Sequence, residues 1–66
     1  MRTFSVLFTH WDDDLKMFLK EEAQFNIKDN SFVEMFTELT RKFNVMCSEN
    51  FYDISWIDNI TEVKTA

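Results

Sequence analysis

One stretch, Ser31–Met46 (SFVEMFTELTRKFNVM), constrains this chain more than any other. Ser31 followed three residues later by Glu34 forms an S-x-x-E capping box. In that motif the hydroxyl takes an orphan backbone N–H and the glutamate reaches back to the cap. Phe32, Met35, Phe36, Leu39, Phe43 and Met46 then recur at three- and four-residue steps, the spacing of an apolar stripe on one side of a helix. Glu38 and Lys42 form a favourably oriented i,i+4 pair, and Arg41 and Lys42 lie toward the negative end of the dipole. Such a helix owes most of its stability to packing of its apolar face, so the rest of the chain must supply a surface for it.

Residues 3–11, TFSVLFTHW, alternate: Phe4, Val6 and Phe8 point one way, and Ser5 and Thr9 the other, beside Leu7 and Trp11. This predicts a half-buried strand, with Asp12, Asp13 and Asp14 as the turn after it. Residues 15–28, LKMFLKEEAQFNIK, read in two ways. A helix would carry Leu15, Phe18, Leu19 and Ala23 on one stripe. A strand would put Leu15, Met17, Leu19, Ala23, Phe25 and Ile27 on one face, interrupted only by Glu21. Period two fits more positions, so the reading favoured is a strand, bulged near Glu21 and forming a hairpin with the first. After a turn at residues 48–50, Phe51 to Ile57 alternates again, with Tyr52, Ile54 and Trp56 on one face. Asp58-Asn59 is either a two-residue hairpin turn into a short fourth strand, Ile60–Lys64, or a kink in one long strand. The expected fold is α+β in one domain spanning residues 1–66. A three-stranded antiparallel sheet, order β-β-α-β, carries the helix on one face and leaves Leu7, Trp11 and Phe18 uncovered on the other.

Sixty-six residues sit near the lower limit for folding without a metal or disulfide, and the single cysteine cannot form an internal bridge. Eight Phe, two Trp, one Tyr and four Met can supply a dense core instead. Gly and Pro are both absent, although average usage of about 7% and 5% predicts roughly eight of them. Turns then fall to Asp and Asn, which cluster at Asp12–Asp14, Asp29–Asn30 and Asp58–Asn59, with Glu49–Asn50 as a further turn site. The missing residues have G/C-rich codons, whereas Phe, Asn, Lys and Ile have A/T-rich ones, which points to an A/T-rich genome such as that of a phage.

Seven basic against twelve acidic residues give a net charge of −5. That disfavours direct nucleic-acid binding, which concentrates cations on one face, and suits attraction to a basic partner. There is no signal-peptide-like N-terminus and no apolar run near the roughly 18 residues of a membrane span, so a cytoplasmic location is expected. Catalytic chemistry finds little purchase. His10 and Cys47 are the sole histidine and cysteine, and nothing in their spacing indicates contact. His10, at a strand end, reads as a surface residue, and Cys47 as a small buried or boundary residue. No His or Cys grouping has zinc spacing, the three consecutive aspartates lack the calcium-loop pattern, and a phosphate-cradling loop needs glycine. The expectation is a non-enzyme without cofactor or metal.

Val6-Leu7-Phe8, Trp11, Met17-Phe18 with Lys20-Glu21, and Lys28-Asp29-Asn30 before the helix together resemble the Dmd (discriminator of mRNA degradation) family of T-even phage antitoxins. The likeness runs ungapped from Met1 to about Glu21, needs a short insertion before Lys28 and follows the helix by pattern. The C-terminal part of the chain shows no counterpart. The resemblance implies a three-stranded antiparallel sheet with one helix. It also implies binding and silencing of a host endoribonuclease toxin of the RNase LS type, which would otherwise destroy phage mRNA. The family places an aromatic toxin contact at the helix start, a position that falls on Phe32 or Val33 where the family has tryptophan.

On that basis the candidate toxin-binding residues are Phe32, Val33, Trp11, Asp29 and Glu34, with Asp12, Asp13, Asp14 and Glu38 as rim charges. A basic nuclease channel would steer in an acidic protein, and apolar anchors would then hold it. The free chain is expected to be a monomer. The alternative is another phage inhibitor of a host enzyme, either a nucleic-acid mimic directed at restriction or CRISPR nucleases or an RNA polymerase inhibitor.

Overall fold

The computed structural model describes residues 1–28 and 31–64. Strands β1 (Arg2–Asp12) and β2 (Met17–Ile27) form a hairpin, helix α1 (Phe32–Glu49) follows, and strand β3 (Ser55–Val63) returns along the free edge of β1. The sheet is antiparallel with order β2-β1-β3, which matches the expected β-β-α-β fold. No fourth strand occurs among the described residues. Helix α1 is not long and apolar enough to cross a membrane.

Period-two alternation prevails in residues 15–28, and β2 is extended. The expected bulge near Glu21 is absent, because β1 and β2 pair in unbroken register from Arg2 opposite Ile27 to Asp12 opposite Met17. Cross-strand partners share a face, so Ile27, Phe25, Ala23, Glu21 and Leu19 line up with Arg2, Phe4, Val6, Phe8 and His10 beneath the helix. The bulge lies in β3 instead. Leu7 faces Asn59 while Phe8 faces Ile57, leaving Asp58 as the extra residue. Asp58-Asn59 is therefore an irregularity inside one strand, the second of the two readings. It keeps both Ile57 and Ile60 against the core.

The segment before β3 departs from the expected alternation. Regular pairing begins only at Ser55, and Tyr52 and Trp56 end up on opposite faces. Tyr52 packs on the core beneath the helix, while Trp56 sits opposite Thr9 on the uncovered face. A bend at residues 53 and 54 breaks the alternation between them. Helix α1 runs past Met46 to Glu49 and closes with a Schellman motif. The Tyr52 N–H donates to Cys47 O at 2.9 Å and the Phe51 N–H to Ser48 O at 3.2 Å. That motif needs a left-handed residue, and in a chain without glycine Phe51 takes the position at φ 59°.

The β1–β2 turn solves the same problem with Lys16, at φ 55°. Asp12 Oδ1 accepts the N–H groups of Asp14 and Leu15, each at 2.9 Å, and holds the turn. Aspartate thus makes the turn's hydrogen bonds, as expected, but among the described residues the left-handed positions fall on lysine and phenylalanine rather than Asp or Asn; the expected turn at 29–30 lies outside the described residues.

The core consists of Val6, Phe8, Ile27, Met35, Leu39, Phe43 and Cys47, with Phe43 edge-on to Phe8 at 5.4 Å between centroids. The buried face of α1 is thus Met35, Leu39, Phe43 and Cys47, four residues apart throughout. Phe32 and Phe36, which the sequence places on the same stripe, are exposed. Steps of four leave them rotated toward one flank. Ser31 does occupy the N-cap with extended backbone, and its carbonyl accepts the Met35 N–H at 2.8 Å. Its side chain makes no cap hydrogen bond, so the serine half of the expected capping box is missing. The Glu38–Lys42 pair is present at 3.7 Å.

Candidate protein-binding surfaces

Each candidate contact inherits its place from strand parity or helix rotation. Helix α1 approaches the β2 backbone more closely than the other strands, which leaves its flank toward β3 open. A groove of about 300 Å³ results, walled by Phe32, Met35, Phe36 and Leu39 from the helix and by Phe4 and Ile60 from the sheet. Its end is closed by Arg2 and Glu62, joined through two hydrogen bonds of 2.8 and 2.7 Å. This fork raises the Arg2 pKa and holds the Glu62 carboxyl below the usual range, chiefly through the hydrogen bonds themselves. The Arg2 guanidinium also lies 5.5 Å from the Phe4 ring centroid.

At the mouth of this groove Phe32 is 78% exposed, and neighbouring Val33 is 70% exposed. With the half-exposed Phe36 they gather large apolar side chains on the first turn and a half of α1. Glu34 is exposed on the same turn, and Glu38 is half-buried one turn on, beside Lys42. Asp29, the remaining candidate at this end, lies outside the described residues.

Trp11, Asp12, Asp13 and Asp14 sit elsewhere. Phe4, which lines the groove, and Trp11 are seven residues apart in β1, or about 23 Å at strand rise. Their opposite parity also points them to opposite faces of the sheet. The structure therefore resolves the eight described candidates into two surfaces: Phe32, Val33, Glu34 and Glu38 on the helix side, and Trp11 with the three aspartates at the hairpin end.

On the outer face at that end, Trp11 meets Phe18 edge-on at 4.9 Å, and Phe18 in turn meets Trp56 at 5.1 Å. Trp56 was missed as a member of this cluster because the bend at residues 53 and 54 breaks the alternation that grouped it with Tyr52 and Ile54.

A third grouping lies under the helix. His10 is buried, at 3% exposure, which overturns its reading as a surface residue. Its ring stacks on Tyr52 at 3.8 Å between centroids and its Nε2 pairs with Glu21. Glu21, the one charge interrupting the apolar face of β2, is thus the partner of the one histidine. The Tyr52 hydroxyl donates to the same carboxylate at 3.4 Å. Burial, followed by the Glu21 charge, pushes the Tyr52 phenol above its ordinary value. Cys47 is buried and accepts from the Ser55 hydroxyl at 3.4 Å, whereas His10 Nδ1 has no hydrogen-bond partner among the described residues. The single histidine and the single cysteine are thus both buried. No group of three or more metal-ligating side chains occurs among the described residues.

No protein-family model, curated protein or solved structure matches the chain.

Proposed function

We propose that this chain is a small acidic phage antitoxin. It binds a host endoribonuclease toxin of the RNase LS type in the cytoplasm of the infected bacterium and so protects phage mRNA. It acts by docking rather than by chemistry of its own. The observation that carries the reading is the exposure of Phe32, which lines an apolar groove, and of neighbouring Val33, at the helix start where the Dmd resemblance expects the toxin contact. Large apolar side chains that leave the core intact yet gather on one helix turn suit binding anchors, which carry most of the energy of an interface. The net charge of −5 supports steering toward a basic nuclease channel.

The test is inhibition of RNA cleavage by a purified RNase LS-type toxin, with wild-type chain, Phe32→Ala and Val33→Glu compared at matched folding by circular dichroism. Loss of an anchor worth about 2 kcal/mol weakens inhibition about 30-fold. Raising the salt slows association. Full inhibition by both variants removes the helix start from the interface, and failure of the wild-type chain to bind the toxin removes the antitoxin reading.

A further inference from the structure

The outer face of the sheet is polar along most of its length, as a face turned to water should be. Thr3 donates to Asn26 at 2.8 Å, and Thr9 to Asp58 at 2.6 Å. At the hairpin end this pattern gives way to the Trp11–Phe18–Trp56 cluster, in which Phe18 and Trp56 remain about half exposed. Both indole N–H groups are held by the aspartate two residues on: Trp11 Nε1 donates to Asp13 at 2.9 Å and Trp56 Nε1 to Asp58 at 3.0 Å. These bonds fix the rings' edges against carboxylates. Four carboxylates lie at this end of the molecule (Asp12 at the end of β1, Asp13 and Asp14 in the turn, Asp58 in β3) against two ammonium groups, Lys16, which is 4.0 Å from Asp13, and Lys20. Lys20 is already engaged at Asp58, 3.3 Å away.

We propose that this face binds an arginine-bearing segment of a protein partner. A guanidinium lies flat on an aromatic face while its N–H fork meets a carboxylate at the ring's edge, a combination that an ammonium cannot reproduce. The negative surround attracts the cation and repels acidic segments. The surface lies on the opposite side of the sheet from the helix-start groove, so it is a second contact region, distinct from the proposed toxin anchor.

Both tryptophans of the chain belong to the cluster, so intrinsic fluorescence reports directly on it. The experiment titrates the whole protein with a blocked tri-arginine peptide, with tri-lysine as comparison, and follows tryptophan emission at low and moderate salt. A saturable, salt-weakened change is expected. Affinity should fall about fivefold or more in Phe18→Ala and in the exposed-charge variant Asp13→Asn, and stay unchanged in Val45→Ser on the outer side of the helix. Absence of a saturable response, equal affinity in Phe18→Ala and Asp13→Asn, or equal affinity for tri-lysine overturns the assignment. So does sedimentation as a dimer that Phe18→Ala converts to monomer, which would make the occupant a second copy. None of these readouts involves a toxin, so failure here leaves the antitoxin reading to its own test.

Discussion

The orientation of α1 can be tested with two neighbouring alanine substitutions. Leu39 is 3% exposed and packs among Phe8, Met35 and Phe43, whereas Phe36, three residues earlier, is 53% exposed at the groove. Truncating a buried leucine removes its transfer energy and leaves a cavity, for a loss of about 2–5 kcal/mol. A domain of this size has roughly 3–10 kcal/mol to lose, at ~0.05–0.15 kcal/mol per residue. Leu39→Ala should therefore bring the protein close to unfolding. Phe36→Ala forfeits only part of a ring's burial, about 1 kcal/mol, and Phe32→Ala falls within about 0.5 kcal/mol, as surface substitutions do. In urea, with a slope near ~1 kcal/mol/M for a small domain, Leu39→Ala lowers the midpoint by about 2 M or more, and Phe32→Ala leaves it nearly unchanged. Equal slopes for all variants would show that only stability has changed. If Phe32→Ala or Phe36→Ala instead costs about 3–5 kcal/mol, as a core phenylalanine does, the helix presents the stripe read from sequence and the groove is closed.

Two further outcomes follow from local geometry. Phe51→Gly should stabilise the chain by about 1 kcal/mol, because the exposed ring loses little and a non-glycine left-handed residue costs about 1–2 kcal/mol, partly offset by glycine's unfolded-state entropy; a lower urea midpoint would mean that the ring packs in a way the structure does not show. Tyr52 is the only tyrosine, so phenolate absorbance titrates it alone. Its folded pKa is raised, so the stability it contributes is fully present below the ordinary value of about 10 and is lost as pH rises through the raised value. Glu21→Gln should move the titration back toward the ordinary value, and an unmoved curve would remove Glu21 as a cause.

The elements were legible in the sequence wherever a single period ran uninterrupted. Phe4, Val6 and Phe8 alternate over a run long enough to define β1, and the odd positions of β2 outvote Phe18. What failed was the sense of rotation or parity beyond a backbone irregularity. The helix stripe at steps of three and four admits two rotations. Only the packing of α1 toward β2 chooses Met35, Leu39, Phe43 and Cys47 over a face that includes Phe32 and Phe36. In the last third, the bend at residues 53 and 54, just before pairing begins at Ser55, breaks the count, and the bulge at Asp58 breaks it again. Alternation carried from Tyr52 to Trp56 therefore puts the tryptophan on the wrong face. His10 illustrates a different limit. Its even parity with Val6 and Phe8 indicated burial, but a polar residue at a strand end looks solvent-facing until Glu21 is placed across the hairpin from Phe8. Parity did separate Trp11 from Phe4 in advance, but the division of the candidate contacts into two groups came only with the structure.

That separation bears on how so small a chain can engage a partner. An ordinary interface takes about 800 Å² from each side, roughly a sixth of the 4974 Å² surface here. A flat partner covering that much would reach the helix-start groove or the aromatic sheet face, but not both. The molecule is, however, a slab 39 Å long and only 16 Å in its thinnest dimension, because one helix covers one side of one sheet. A cleft can close on both broad faces of such a slab at once. In that arrangement Phe32 and Val33 would press on one wall while Trp11, Phe18 and Trp56 take a cation from the other. The strand that joins them, β1, is the most heavily paired element of the fold. Its rigidity would hold the two contact regions at a fixed spacing, which limits the conformational cost of binding through both.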